Sequence, residues 1–323
     1  MLLLDSEQTH RLAGMPELIE CLRHAFRSPC VAPARQVAHI PGGAGERLFV
    51  SMPAFDTQGR GAVKLLTIVP ENPARGLPTI QGMIAVFSEQ GTPVAILDGT
   101  AVTRLRTGAA SALASDYLSR HDSSHLLIVG SGALAPYMAM AHCTVRPIRR
   151  VSVWGRRAER VAATVAAIRS RVAVDISVDS ADSIERSAAT ADIVCCATSS
   201  ATALLCGRWL KSGVFVDLVG SFTPAMRETD DEVVRRCRIF VDTFAGALAE
   251  AGDLIDPLAR GVISRERIEG ELADLVLGRV HGRASREELT LFKSVGSAIE
   301  DLAAAQLIVT AATRGSLPAV SLS

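Results

Sequence analysis

The sequence predicts an α/β protein, a Rossmann doubly wound domain accompanied by an α+β domain. Three observations predict it. A continuous apolar run, Leu126 to Val129, leads into Gly130-Ser-Gly132-Ala-Leu-Ala135, the G-x-G-x-x-A form of the dinucleotide-binding turn. Strand-like and helix-like patterns alternate after that turn, as in a parallel sheet with crossover helices. Before it, strand-like runs follow one another through short turns, as in an antiparallel sheet. The length, 323 residues, suits two domains, and 48% apolar residues give ample core.

The first part comprises residues 1–120. Leu2 to Leu4 reads as an opening strand. Residues 16–27 form an amphipathic helix with Leu18, Ile19, Leu22 and Phe26 on one face. Strands follow at Leu48–Met52, Ala62–Val69 and Gly82–Ser88. Gly91-Thr-Pro is a turn before a strand at Val94–Leu97. An Ala-rich helix, Thr103–Ser119, leads into the second part.

That second part comprises residues 121–295. After the fingerprint, Pro136 sits in the first turn of a helix, where its missing N–H costs nothing. Arg150–Trp154 is the next strand, at the spacing of a βαβ unit. Further strands are expected at Val172–Ile176, Asp192–Thr198, Val214–Val219 and Arg238–Thr243, with a helix at Ala181–Thr190. Two long helices, Ser264–Leu277 and Gly296–Thr313, close the chain, and the tail after Gly315 is expected to fray. Residues 296–323 join the first part.

Each residue of the fingerprint has a steric role. Gly130 permits the tight turn, and Gly132 lets main chain approach a pyrophosphate. Ser131, Ala133 and Leu134 carry the chain past the anion into the helix, and Ala135 is small enough for helix and strand to pack. The end of the second strand selects the cofactor. An NAD site usually places an acid there, about 20 residues on, for the ribose 2′-hydroxyl. Here Gly155-Arg156-Arg157 stands instead, and a guanidinium forks onto a 2′-phosphate with roughly 1.5–3 kcal/mol per charge-assisted bond. The expected cofactor is NADPH, with NADH the alternative. Thr198, with its neighbouring serines, and Gly220-Ser221 lie at strand ends, where loops face the ligand.

Composition excludes several roles. A formal net charge of zero disfavours a general nucleic-acid partner. No segment approaches the about 18–20 uncharged apolar residues of a membrane span. Met1-Leu-Leu-Leu meets Asp5 without a basic region, so no secretion signal is expected. The seven cysteines include no Cys-x-x-Cys and read as free thiols in a reducing cytoplasm. The seven histidines show no metal-ligand spacing, so no metal site is expected.

Three cations sit in apolar company. Lys64 shares a strand face with Ala62 and Leu66, Arg106 begins an Ala-rich helix, and Arg35 stands in Pro33-Ala-Arg-Gln-Val. Half-buried cations are costly unless an anion neutralises them, so converging ones would clamp a carboxylate. From spacing alone, a snorkelling stem or a surface ion pair is the simpler account of each.

Ordered blocks along nearly the whole chain resemble the ornithine cyclodeaminase/mu-crystallin family. They are Val-Lys64-Leu-Leu-Thr, Ile96-Leu-Asp-Gly-Thr-Ala-Val-Thr-Arg-Leu-Arg-Thr107-Gly-Ala, Val129-Gly-Ser-Gly, Val153-Trp-Gly-Arg, Val219-Gly-Ser-Phe-Thr-Pro with Arg227-Glu228, Val241-Asp-Thr through Glu250-Ala-Gly-Asp253, and Phe292-Lys-Ser-Val-Gly-Ser-Ala-Ile-Glu-Asp-Leu. The resemblance implies a homodimer, with residues 1–120 and 296–323 forming a substrate-binding and dimerisation domain. It implies that Arg35, Lys64 and Arg106 hold a substrate carboxylate. It also implies that Thr79, Gln81, Thr107, Ser294 and Val295 belong to the cofactor site.

One position departs from the family pattern. Cyclodeaminases and related alanine dehydrogenases carry a catalytic Asp two residues before the proline of the Gly-x-x-x-Pro loop. Here Phe222 stands there, and an apolar ring transfers no proton. Family members without that Asp include reductases of cyclic ketimines. The resemblance therefore implies NADPH-dependent reduction of Δ1-pyrroline-2-carboxylate or Δ1-piperideine-2-carboxylate to L-proline or L-pipecolate. A cyclodeaminase or amino-acid dehydrogenase is the first alternative, and a non-catalytic NADPH-binding protein the second. Asp301 is either an orienting group in the pocket or simply the acid at the start of a core helix.

Overall fold

The computed structural model of the chain describes residues 1–42, 46–173 and 175–315. The chain divides into two compact units, residues 1–106 with 297–323 and residues 107–296. The expected tail after Gly315 lies outside the described residues, as does Val174 of the expected strand at 172–176.

The first unit is built on a seven-stranded sheet. Its strands are β1 (Leu2–Leu4), β2 (Cys30–Val31), β3 (Gln36–His39), β4 (Leu48–Asp56), β5 (Gly61–Ile68), β6 (Ile80–Phe87) and β7 (Pro93–Asp98). The pairs from β2 to β7 are antiparallel, and β1 joins β7 in parallel. Helices α1 (Ser6–Arg11) and α2 (Met15–Arg27) precede the hairpins, and α3 (Gly99–Leu118) follows them. Alternation along β4 buries Val50, Met52 and Ala54 and turns Phe49 and Phe55 outward. The covered face packs against the chain's last helix, α11 (Ala298–Arg314), which also lies on α2. The α2 stripe of Leu18, Ile19, Leu22 and Phe26 is buried as its spacing predicts.

The start of α3 depends on a pair of glycines. A Cβ at Gly99 would lie 2.8 Å from the backbone of Gly82 on β6. The helix therefore begins at Gly99, earlier than the expected Thr103, with Asp98 Oδ1 accepting from the Ala101 N–H at 2.7 Å.

The second unit holds an eight-stranded sheet, all pairs parallel, in the order β10-β9-β8-β11-β12-β15-β13-β14. These are β8 (His125–Val129), β9 (Arg150–Trp154), β10 (Ser177–Ser180), β11 (Ile193–Cys196), β12 (Phe215–Leu218), β13 (Cys237–Val241), β14 (Ile268–Glu271) and β15 (Leu289–Lys293). The helices are α4 (Ala135–Val145), α5 (Ala158–Arg169), α6 (Ile184–Ala188), α7 (Asp231–Arg236), α8 (Phe244–Glu250), α9 (Gly252–Ala259) and α10 (Leu272–Val276). Every residue of β8 is buried, as a parallel strand covered on both faces must be. Strand order reverses between β8 and β11, the switch point at which open α/β sheets bind ligands.

Several expected elements differ. The single helix at Ser264–Leu277 is instead a short turn, β14 and α10. Gly270 breaks the helix, and the β14 ladder on β13 pairs Ile268 with Ile239 and Gly270 with Phe240. The strand at Val172–Ile176 is displaced to Ser177–Ser180, because the Val172 N–H still bonds back to Ile168 at the end of α5. The helix at Ala181–Thr190 shrinks to α6, whose N-cap is Ser183. Central strand β15 was not anticipated.

Candidate active site

Because the second sheet is parallel, the carboxyl ends of its strands share one edge. The fingerprint turn leaves β8 there, with Gly130 at φ 128°. A Cβ on Gly130 would lie 2.5 Å from the Ala197 carbonyl oxygen, so only glycine fits. At Gly132 a Cβ would meet nothing within 4 Å: the backbone borders open space. That space is a cavity of about 320 Å³, lined by Gly130, Ser131, Gly132, Arg156, Arg157 and Thr198 among others. Arg160 lines it too and was not anticipated; it lies one helical turn past Arg156 on α5. A glycine cradle, serine and threonine hydroxyls, a helix start and three arginines fit a dinucleotide well.

The remaining cofactor candidates of this unit are placed differently. Ala133 is exposed and half-buried Leu134 is the N-cap of α4; neither lines the cavity. Thr107 is buried on α3. Buried Ser294 and half-buried Val295 follow β15, where Val295 and Gly296 donate to Asp242 Oδ2 at 2.7 and 2.6 Å. Burial pushes the Asp242 carboxyl up against those bonds. Gly220 and Ser221 are buried behind the cavity edge and donate to Glu228.

Glu228 ends the loop after β12 and belongs to the Arg227-Glu228 block of the resemblance, but its role is not legible in the sequence. Its Oε1 accepts from Thr198 N (2.7 Å) and Thr198 Oγ1 (2.9 Å), and its Oε2 from Gly220 N (2.7 Å) and Ser221 N (3.2 Å). Burial raises its pKa to about 7, with Asp253 adding to the rise and Lys293 and the Thr198 bonds opposing it.

The first unit gathers the cations. Lys64 lies on β5 opposite Met52 and Ile84, on the covered face, and is only 2% exposed. Its Nζ is 2.6 Å from Asp301 Oδ2. Arg106 donates through Nε to Asp301 Oδ1 at 3.0 Å and through NH1 to Glu300 Oε2 at 2.8 Å. Ser297, the N-cap of α11, donates to the other Glu300 oxygen at 3.1 Å. Asp301 thus bridges both cations from the first turn of α11. Glu300 was missed, because an acid in the first turn of a helix is ordinary and its partner is far away in sequence.

The electrostatics follow from burial. Desolvation lowers the Lys64 pKa to about 8, with Arg106 and Arg35 lowering it and Asp301 opposing. Arg106 is held above its usual value because Asp301 and Glu300 outweigh burial. Asp301 lies below its usual value because Lys64 and Arg106 outweigh burial. Arg35 is half-buried just ahead of β3, and its charge reaches Lys64. Two cations, Lys64 and Arg106, thus share two buried carboxylates, Asp301 and Glu300. In the same unit, Thr79 is half-buried and Gln81 exposed around the start of β6.

Among the described residues, one group has metal-ligand character: buried His142, Cys195 and Asp217. Asp217 already accepts from His142 Nε2 at 3.1 Å and Ser111 Oγ at 3.2 Å, so the group reads as a hydrogen-bonded core network. No described helix is long and apolar enough to cross a membrane.

The comparisons bear on the whole chain. A family model described as ornithine cyclodeaminase/mu-crystallin family matches residues 2–316. A Delta(1)-pyrroline-2-carboxylate reductase of Colwellia psychrerythraea is 38% identical over 320 residues, covering 96% of this chain and 98% of the relative. The structure of the Thermococcus litoralis Delta(1)-pyrroline-2-carboxylate reductase with NADH and L-proline superposes with a TM-score of 0.94 at 32% identity, covering 99% of this chain and 100% of that one. An archaeal alanine dehydrogenase dimer with bound NAD gives 0.89 at 28% identity, covering 99% and 98%.

Proposed function

Because the chain belongs to the ornithine cyclodeaminase/mu-crystallin family, we propose that it is an NADPH-dependent oxidoreductase acting on C=N bonds. Its substrates are cyclic ketimine amino acids, Δ1-pyrroline-2-carboxylate and Δ1-piperideine-2-carboxylate, and its products L-proline and L-pipecolate. The observation that carries this reading is the buried Lys64–Asp301–Arg106 cluster, with Arg35 near it. Its Lys64 and Arg106 cations are the groups to which a substrate carboxylate would bind. Relatives named as pyrroline-2-carboxylate reductases support the five-membered ring.

In this reading Arg106 forks onto the carboxylate, Arg35 adds charge, and Lys64 binds the carboxylate and hands a proton to the adjacent ring nitrogen. The nicotinamide, when bound, supplies the hydride. Asp301 fixes the directions of Lys64 and Arg106. Phe222, half-buried in the loop after β12, stands where cyclodeaminases carry the catalytic Asp and offers no proton. Arg156, Arg157 and Arg160 favour a 2′-phosphate, although NADH occupies the Thermococcus litoralis relative. Residues 121–295 are the proposed NAD(P)-binding domain, and residues 1–120 with 296–323 the substrate-binding and dimerisation domain.

The outward face of the first sheet supports a homodimer. Leu3, Phe49, Phe55 and Met83 are 51%, 40%, 44% and 46% exposed on one face. An apolar face of this kind marks an association surface, and the archaeal relative is a dimer. The cysteines are all free, as a reducing cytoplasm would keep them. The test is oxidation of NADPH and of NADH with the five- and six-membered imines, beside ammonia release from ornithine. Imine-dependent NADPH oxidation without ammonia release supports the reading. Ammonia release, or cofactor binding without imine turnover, overturns it.

A further inference from the structure

We propose that Glu228 is a positioning residue for the cofactor, holding the cavity wall after β11 in register with the loop after β12. This rests on the nicotinamide reading above and goes beyond it, because Glu228 lines no part of the cavity. The side chain is wholly buried. Its oxygens take four donors: Thr198 N and Oγ1 on one, Gly220 N and Ser221 N on the other. Its main chain continues the same task, the carbonyl accepting from Leu204 N (2.9 Å) and Leu205 N (3.0 Å). Arg227 N, one residue earlier, donates to the Ser200 carbonyl at 2.9 Å.

The segment so fastened is the cavity wall itself: Thr198, Ser199, Ser200, Thr202 and Leu204 all line it. Glu228 is fixed in turn, since its N–H and that of Thr229 donate to Asp253 Oδ1 at 2.8 and 3.0 Å. Gly220 has no room for a side chain, because a Cβ would strike both Thr198 and the Glu228 carboxylate. Only an ionised carboxylate presents acceptors alone on both oxygens. A glutamine would turn an amide N–H₂ toward two backbone or hydroxyl donors and leave them unpaired, splaying the wall from the loop.

The experiment is a fluorescence titration of the full chain with NADPH, wild type against Glu228→Gln, at a pH well above 7 so that Glu228 is ionised, with imine KM measured at saturating cofactor. The expected result is NADPH binding weakened about tenfold or more, with imine KM within about twofold of wild type, as expected if the change is confined to the cofactor wall. Unchanged NADPH affinity in the variant overturns the proposal, as does an imine KM that rises in step with the NADPH Kd. A wild-type chain that binds neither NADPH nor NADH refutes the functional reading instead. Amide exchange on the unaltered, cofactor-free chain decides the matter if the variant does not fold. Slow exchange at Thr198, Gly220 and Ser221 is expected, and exchange at the rate of an open loop overturns the proposal.

Discussion

Asn in place of Asp301 separates the bridging role of this carboxylate from mere helix chemistry. Asp301 lies 2.6 Å from Lys64 Nζ and 3.0 Å from Arg106 Nε, with all three side chains buried. At an effective dielectric of 20, unit charges at these separations attract by about 6 kcal/mol before desolvation is subtracted. Removing one partner of a buried ion pair costs about 3–5 kcal/mol, because the other charge is left in low dielectric. Asn keeps the shape and loses the charge, so the loss of stability should fall in that range. Lys64 then keeps only influences that lower its pKa, namely burial, Arg106 and Arg35, and drops below about 8. Near pH 8 the variant's lysine is largely neutral, and one charge-assisted contact to the ligand carboxylate is gone. That contact is worth roughly 1.5–3 kcal/mol, or about 10- to 150-fold in affinity. Inhibition by L-proline at saturating NADPH, followed across pH, reads the affinity, and thermal melting reads the stability. An Asp301→Asn enzyme with wild-type melting and a wild-type pH profile for L-proline would refute the bridge.

Three further outcomes test the remaining parts. Arg156→Ala should weaken NADPH binding about tenfold or more while leaving NADH nearly unchanged, the loss of one forked contact; equal losses for both cofactors would point away from a 2′-phosphate. Burial lowers the Lys64 pKa from 10.5 to about 8, so between those values the unfolded chain binds more protons and this lysine's contribution to stability rises with pH, by about 3 kcal/mol in all. The difference in unfolding free energy between wild type and Lys64→Met should therefore shift over that window, and a flat difference would contradict the burial argument. Phe49→Glu should shift the chain toward monomer in analytical ultracentrifugation and remove the concentration dependence of its melting temperature, and an unchanged sedimentation coefficient would remove that face from the interface.

Legibility in the sequence followed the range of the interactions. The fingerprint, β8 and β9 were readable because their signals are local: an apolar run, a glycine turn, a proline at a helix start. The β15 strand was not, since Leu289-Thr-Leu-Phe-Lys293 is short and ends in a lysine that the structure buries completely. Lys293 is tolerable there because its Nζ donates to the Leu218 and Ser294 carbonyls, both at 3.0 Å, and because the buried Glu228 and Asp242 carboxyls offset its charge. The helix expected at Ser264–Leu277 failed for a related reason: tertiary pairing of β14 with β13 overrode the pattern of its second half. In the candidate site the residue types were visible while their partners were not. Lys64 and Arg106 stood out as cations among apolar neighbours, but spacing favoured solvated stems. The carboxylates that make them a cluster belong to the first turn of α11, at the other end of the chain. Glu228 is visible only as the end of a block that carries the resemblance, and its role is not, because its side-chain partners are mostly backbone N–H groups.

On the proposed reading, Lys64 is also the candidate proton donor to the imine nitrogen. Lys64 and Arg106 are both buried cations, held by Asp301 and Glu300. An iminium that arrives protonated brings a further cation beside them, and an unprotonated imine does not. The unprotonated imine costs less there, so the proton for nitrogen should come from the protein. Lys64 suits that task, since burial brings its neutral form within reach near pH 8. Nitrogen and carboxylate sit on adjacent carbons of an α-imino acid, so one ammonium reaches both. Arg in place of Lys64 keeps the charge but releases no proton at any working pH. Lys64→Arg should then retain L-proline affinity to within about tenfold while kcat for imine reduction falls by roughly 10²-fold or more. A variant that reduces the imine at the wild-type rate would mean that the ring nitrogen takes its proton from water, and Lys64 would be left with anchoring alone.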